Sequence, residues 1–173
     1  IKTPADAKHA AEKLGAETLL GFDTETRSAF TVGESYSPSL LQLASAKDVF
    51  LFQIKLTGLI PELCGILSNP NILKTGVSIR DDVRELRKLA AFEPAGFVEL
   101  GDCAKKAKIK NLGLRGMGAL LLGFRISKRE QVSNWAKREL TRSQIVYAAT
   151  DAWVGREIYL HMEQRGLTPK DTQ

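Results

Sequence analysis

At 173 residues, with 43 % hydrophobic and 26 % charged side chains, the chain is sized for one domain with a substantial core. A net charge of +5 and a pI near 9.3 favour a polyanionic partner, nucleic acid before an acidic membrane surface, although such an excess also serves solubility. No apolar run is long enough to span a bilayer, no signal-peptide pattern opens the chain, and Cys64 and Cys103 show neither metal-site spacing nor a disulfide framework, which suits a reducing intracellular compartment. The first residue is Ile rather than Met, as expected of a domain cut from a longer protein.

Thr3-Pro4 and the following Ala-rich stretch predict a capped helix to Leu14, closed by Gly15. Leu19 to Phe22 runs as a short apolar strand into Asp23-Thr24-Glu25-Thr26. Residues 27–37 read as a polar loop. Leu40 to Ala44 and Val49 to Phe52 are two further strands, and the three together suggest an antiparallel meander. Apolar spacing after Gly58 gives a helix to Leu67, stopped by Asn69-Pro70. A strand over Ile72 to Val77, a helix over Ile79 to Ala91 and a strand over Phe97 to Leu100 follow. Asp102 is the expected N-cap of a helix from Cys103 to Lys108. Leu112 to Leu122 is a Gly-punctuated apolar helix, and residues 123–136 are irregular and basic. Thr141 and Gln144 form a capping-box pattern opening a long helix to about Gln164, with Gly166 at its end. The tail from Thr168 is polar and expected to fray. Three strands followed by alternating strands and helices describe an α/β domain with a mixed sheet.

Asp23 and Glu25 are two residues apart on a strand, so they point to the same side. Neighbouring carboxylates raise each other's pKa unless a cation lies between them, and Mg²⁺ or Mn²⁺ prefers carboxylate oxygen. On the last helix Tyr147, Asp151, Val154, Gly155, Ile158 and Met162 line one stripe. That stripe should face the core, where a carboxylate is costly unless paired or bound to a cation. Asp82 shares a helix face with Leu86 and Leu89, while Asp81 points elsewhere, as a solvated residue at a helix N-terminus. Each motif alone has an ordinary reading: a solvated strand end, an Asp at a stripe edge, a helix cap. Together, four acids converging on one cavity could hold two divalent cations about 3.5–4 Å apart, a site for phosphoryl chemistry.

The order Asp-x-Glu, then Gly76-Val77-Ser78-Ile79-Arg80-Asp81-Asp82-Val83-Arg84-Glu85-Leu86, then Tyr147-Ala148-Ala149-Thr150-Asp151 resembles the three motifs of the DEDD exonuclease superfamily. Tyr147 four residues before Asp151 is similar to the DEDDy branch, which includes ribonuclease D and the Werner syndrome exonuclease domain. Val146 stands where the other branch has His. Leu40 to Leu43, Leu51 to Ile54 and Ser133-Asn134-Trp135 resemble the Werner-like members most. The likeness covers about Thr18 to Met162, one exonuclease domain over residues 1–173 with its core at about 18–165.

The resemblance implies a ribonuclease H-like fold with a five-stranded mixed sheet flanked by helices. It implies two ions, Mg²⁺ or Mn²⁺: Asp23 bridging both, Glu25 and Asp151 serving the water-activating one, and Asp82 serving the second through water. Tyr147 would hold the nucleophilic water, since a phenol with a pKa of about 10 is a poor base at neutral pH. The partner would be nucleic acid with a free 3′ end, DNA favoured over RNA, releasing nucleoside 5′-monophosphates. The compartment would be the nucleus of a eukaryote or the cytoplasm of a bacterium. Thr26, where Werner-like relatives often carry an aromatic residue, and Arg84, where some have Trp, depart from the pattern at positions bearing on the terminal base. Lys128 and Arg129 are candidates for backbone contacts, with a solvated basic loop as the alternative. Trp135 is expected to pack under that loop, and Gln42 to be a strand residue near the site. Rival readings are an inactive nucleic-acid-binding relative, a protein-interaction domain and a small-molecule phosphatase. The presence of all five motif residues speaks against the first, and the basic balance against the last.

Overall fold

The computed structural model describes residues 1–29, 31 and 33–168. Positions 30 and 32 of the expected polar loop, and the tail after residue 168, lie outside the described residues. Five strands, β1 (Leu19–Thr26), β2 (Pro38–Ala44), β3 (Val49–Gln53), β4 (Leu73–Gly76) and β5 (Phe97–Glu99), form one sheet in the order β3-β2-β1-β4-β5. The expected meander is present, with β1, β2 and β3 antiparallel. β4 pairs parallel with β1, and β5 parallel with β4.

Alternation along β1 assigns its two faces. Leu20 and Phe22 join Leu41, Leu43 and Phe52 in a core covered by helices α1 (Pro4–Leu14), α3 (Pro61–Ser68) and α4 (Ile79–Arg87). Leu19, Gly21, Asp23 and Glu25 face the other way, towards α7 (Arg142–Gln164). The side chains of Val154, Ile158 and Met162 on α7 are fully buried there with Leu19, and each contributes roughly 1.5–3 kcal/mol by leaving water. Two glycines set how close α7 can come. A Cβ at Gly21 would fall 1.9 Å from the Ala152 carbonyl oxygen, and one at Gly155 would fall 3.1 Å from that of Thr75. The Thr75 hydroxyl donates to the Gly155 carbonyl at 3.2 Å.

The caps on α1 and α7 match their sequence signatures. The Asp6 N–H donates to the Thr3 hydroxyl, and Thr141 and Gln144 form the reciprocal capping box. The helix expected after Gly58 is α3, started by Pro61; ahead of it a short helix, α2 (Ile54–Thr57), closes at Gly58 with a left-handed φ of 69°. Other boundaries differ from expectation. Helix α4 ends at Arg87, four residues early, and leaves Leu89 exposed rather than on a shared face with Asp82. Asp102 is not the N-cap of α5 (Leu100–Lys106): β5 runs straight into the helix and Glu99 caps it. The apolar helix starts at α6 (Leu114–Met117) and widens into a π-helical turn over Gly118–Leu122. No helix among the described residues is long and apolar enough to cross a membrane.

Candidate active site

Where β1 and β4 run out under α7, a cleft of about 380 Å³ opens, lined among others by Asp23, Thr24, Glu25, Arg115, Lys128, Tyr147 and Asp151. Asp23 and Glu25 reach it by strand alternation, and Asp151 by the α7 stripe that also carries Tyr147. One carboxylate oxygen from each of Asp23, Glu25 and Asp151 lies within 4.8 Å of the others. Asp151 and Tyr147 are buried, and Asp23 and Glu25 are half-buried.

Asp82 reaches the site from the other side of the sheet. It sits on α4, and the Thr24 hydroxyl donates to its Oδ1 at 2.6 Å. The expected convergence of four acids is therefore three facing one another and a fourth held behind Thr24. Helix α4 is aimed by an unexpected residue. Ser78, at its N-cap, has a left-handed φ of 62° and makes no side-chain cap. The Glu99 carboxylate accepts instead from the Ser78 and Ile79 N–H groups, both at 3.0 Å, and from the Gly101 N–H at 3.1 Å. One carboxylate thus caps two helices.

The electrostatics follow from crowding acids away from water. Burial raises the Asp23 carboxyl well above its ordinary range, and Glu25, Asp151 and Asp82 add to it. Glu25 is pushed up to about 8, by burial first and then by Asp151 and Asp82, with Arg115 opposing. Burial takes Asp82 to about 6 against the Thr24 hydrogen bond, and Asp151 to about 6 against Arg115 and the Tyr147 hydroxyl. The Tyr147 phenol is raised above its usual value by burial and by Asp151 and Glu25, so it is protonated at neutral pH.

Arg115 was not singled out by the sequence. Its Nη2 donates to the Tyr147 hydroxyl oxygen at 2.5 Å and its Nη1 to Gln131 at 3.2 Å. A lone charge inside the apolar stretch Leu112 to Leu122 was the available signal. Trp135 is 1 % exposed and packs its ring 5.9 Å from that of Tyr147, as a packing residue should. Gln42 is fully buried and pairs with Asp23 across β1 and β2. Lys128 lines the cleft. Arg129 lines a neighbouring groove that shares Tyr147. Thr26 lies at the end of β1, past a register shift, and Arg84 is exposed in ion pairs with Asp81 at 2.7 Å and Glu85 at 3.6 Å; neither lines the cleft.

The donor set suits a divalent cation. It is all oxygen, as hard cations require, and Asp151 Oδ1 is buried without a hydrogen bond, an acceptor awaiting a partner.

Comparison with known proteins places the chain in a family. A family model described as 3′–5′ exonuclease matches residues 1–166, and the chain belongs to that family. The bifunctional 3′–5′ exonuclease/ATP-dependent helicase WRN of Mus musculus is 32 % identical over 163 residues, covering 90 % of this chain and 12 % of its own length. Ribonuclease D of Acidiphilium cryptum is 29 % identical over 169 residues, covering 95 % of this chain and 42 % of its own length. The chain therefore spans less than half of either relative. Among solved structures, the Nibbler EXO domain of Aedes aegypti superposes with a TM-score of 0.85 at 23 % identity, covering 95 % of this chain and 86 % of that one. The shared architecture is the ribonuclease H-like fold that the motifs implied.

Proposed function

We propose that this chain is a metal-dependent exonuclease that hydrolyses phosphodiester bonds from the 3′ end of a DNA strand and releases nucleoside 5′-monophosphates. The observation that carries the reading is the group Asp23, Glu25 and Asp151, three crowded carboxylates within 4.8 Å of one another, one with a buried, unpartnered oxygen. Asp23, Glu25 and Asp151 would hold one divalent ion, with Asp23 and Asp82 serving a second. Bound Mg²⁺ or Mn²⁺ supplies Lewis acidity, making water nucleophilic at neutral pH and neutralising charge on the reacting phosphate.

The chain's own residues do the rest. In hydrolysis a water oxygen bonds to phosphorus, the bond to the 3′ oxygen breaks, and that oxygen takes a proton to become the new 3′ hydroxyl. Tyr147 stays protonated, so it orients the water or a phosphate oxygen by hydrogen bonding and does not act as the base. Lys128 lines the cleft with the acids and puts positive charge where a phosphate backbone can be held. Glu99 and Thr24 fix the position of Asp82. Arg129 would meet the strand where the adjoining groove opens. For Thr26 and Arg84, contact with the terminal nucleotide is the proposal that remains from the motif pattern. A role in DNA repair is the corresponding expectation.

A second reading has its own support: the relative from Acidiphilium is named a ribonuclease, which favours RNA. The deciding experiment is a 5′-labelled strand digestion with Mg²⁺, Mn²⁺ or EDTA, on single-stranded DNA, 3′-recessed duplex DNA and single-stranded RNA of matched sequence. A ladder shortening from the 3′ end, absent with EDTA, is expected. Preference for recessed DNA upholds the first reading and preference for RNA the second. No cleavage with any metal, with binding retained, would leave an inactive nucleic-acid-binding relative.

A further inference from the structure

We propose that Arg115 is a positioning residue that fixes the direction of the Tyr147 O–H bond, and so makes Tyr147 a hydrogen-bond donor towards the acidic cleft. The inference rests on the exonuclease reading and adds a residue that the motif pattern does not contain.

The argument is one of hydrogen count. A guanidinium has five N–H donors and no acceptor. In the 2.5 Å bond between Arg115 Nη2 and the Tyr147 hydroxyl, the phenol oxygen can therefore only accept. A phenol carries one hydrogen, and that hydrogen cannot point at Arg115. It is left for the acceptors on the other side of the oxygen, where Asp151 stands one helical turn on along α7. Without Arg115 the hydroxyl is free to rotate, and the oxygen is free to accept from water instead.

The cation is itself held in place. Its Nη1 donates to the Gln131 side chain, and its Cζ lies 5.9 Å from the centre of the Tyr147 ring. The backbone that carries it is fixed as well. A Cβ at Gly116 would fall 2.7 Å from that of Asn111, so the first turn of α6 sits hard against the segment before it. Gln131 belongs to the same irregular segment that sends Lys128 into the cleft. Arg115 therefore ties the basic segment to the phenol as well as orienting it. The interaction is charge-assisted, the stronger class of hydrogen bond.

Two measurements test this, one of them independent of activity. The chain has three tyrosines. With ¹³Cζ-labelled tyrosine, Tyr147→Phe assigns the Tyr147 resonance by its loss. Arg115→Met is expected to move that resonance and leave the other two in place, which also reports that the variant is folded. In steady-state digestion, Arg115→Met is expected to lower kcat about tenfold, which is 1.4 kcal/mol, with KM within twofold. Arg115→Lys, also a donor without an acceptor, is expected to recover part of kcat. In a Tyr147→Phe background Arg115→Met should cost nothing further, because its only route to the reaction has gone. An unmoved resonance in an active enzyme overturns the proposal alone. So does a full additional loss in the Tyr147→Phe background, or a rise in KM with kcat unchanged, since either assigns Arg115 directly to the substrate. A wild-type protein that cleaves nothing while the resonance still moves overturns the exonuclease reading and leaves the Arg115–Tyr147 bond standing.

Discussion

Glu99 and the Asp23, Glu25 and Asp151 group are carboxylates at strand ends and helix faces of one small fold, and they are treated in opposite ways. Glu99 receives three backbone N–H groups at 3.0–3.1 Å and sits at the N-termini of two helices. The cleft acids face chiefly one another. Burial and mutual repulsion push them towards the neutral form, and one Asp151 oxygen has no partner. Where the fold itself supplies donors, a half-buried acid holds the structure together. Where it supplies too few to offset burial, the acid is a liability that an incoming cation relieves. The two should therefore respond with opposite signs when the charge is removed.

The largest effect is expected from Asp23→Asn. Loss of a cation ligand shared by the whole group should lower the cleavage rate roughly 10³-fold or more, taking several kcal/mol of charge stabilisation at a tenfold per 1.4 kcal/mol. The same variant should raise the melting temperature of the metal-free protein at pH 8, because it removes a charge the fold cannot satisfy. Digestion assays and thermal melts in EDTA check the two halves. A variant that still cleaves like the parent would end the metal-ligand assignment, and one that melts lower would end the liability argument.

Glu99→Gln should do the reverse. It keeps the shape but weakens three charge-assisted bonds, so a loss of about 1.5–3 kcal/mol is expected from hydrogen bonds to a charged group. Because the two lost caps include that of α4, the helix that carries Asp82, kcat should fall as well while Asp23, Glu25 and Asp151 stay in place. Denaturant melts paired with digestion rates would show both. Equal stability in the variant would mean that the αL turn at Ser78 holds α4 unaided.

This pair also marks where sequence reading stops. Local patterns were legible: Asp23 and Glu25 by the period of two, Tyr147 and Asp151 by a helical stripe, and the caps at Thr3 and Thr141 by residues three apart. Glu99 and Arg115 were not, because their partners lie 20–21 and 32 residues away and no periodicity encodes such a distance. Asp102 looked like the better cap, since Asp outranks Glu by intrinsic preference. What displaced it was the absence of any loop between β5 and α5, a tertiary fact. Gly21 and Gly155 likewise read as ordinary glycines until α7 lies against β1 and leaves no room for a side chain.

A third, smaller effect is expected from pH. The cleft acids titrate from their ordinary range near 4 in the unfolded chain to about 6 for Asp82 and Asp151 and about 8 for Glu25 in the folded one. Between pH 4 and 8 the folded state thus binds more protons than the unfolded state. Stability of the metal-free protein must fall as pH rises through that window. Saturating Mn²⁺ should flatten or reverse the slope, because a cation replaces the protons. Thermal melts at pH 5.5 and 8, with EDTA or Mn²⁺, test this. A metal-free protein that gains stability towards pH 8 would show that the acids are compensated after all, as Glu99 is.

The smallest effects should separate cations by the side of the cleft they occupy. Lys128 lines the cleft with the acids. Arg84 is 65 % exposed on α4 and already paired with Asp81 and Glu85. If a strand is held across the cleft, Lys128→Ala should weaken binding of single-stranded DNA and lower the slope of log affinity against log salt by about 0.7–1, one phosphate contact fewer. Arg84→Ala should leave that slope unchanged, and its exposed ion pairs should cost no more than about 1 kcal/mol of stability. Binding titrations at several salt concentrations, in EDTA so that nothing is cut, distinguish the two. A drop in slope for Arg84→Ala and none for Lys128→Ala would run the strand over α4, with Arg84 leaving its carboxylate partners for phosphate. The cleft acids would then have to meet their substrate from the side of Asp82, whose Oδ1 already accepts from the Thr24 hydroxyl.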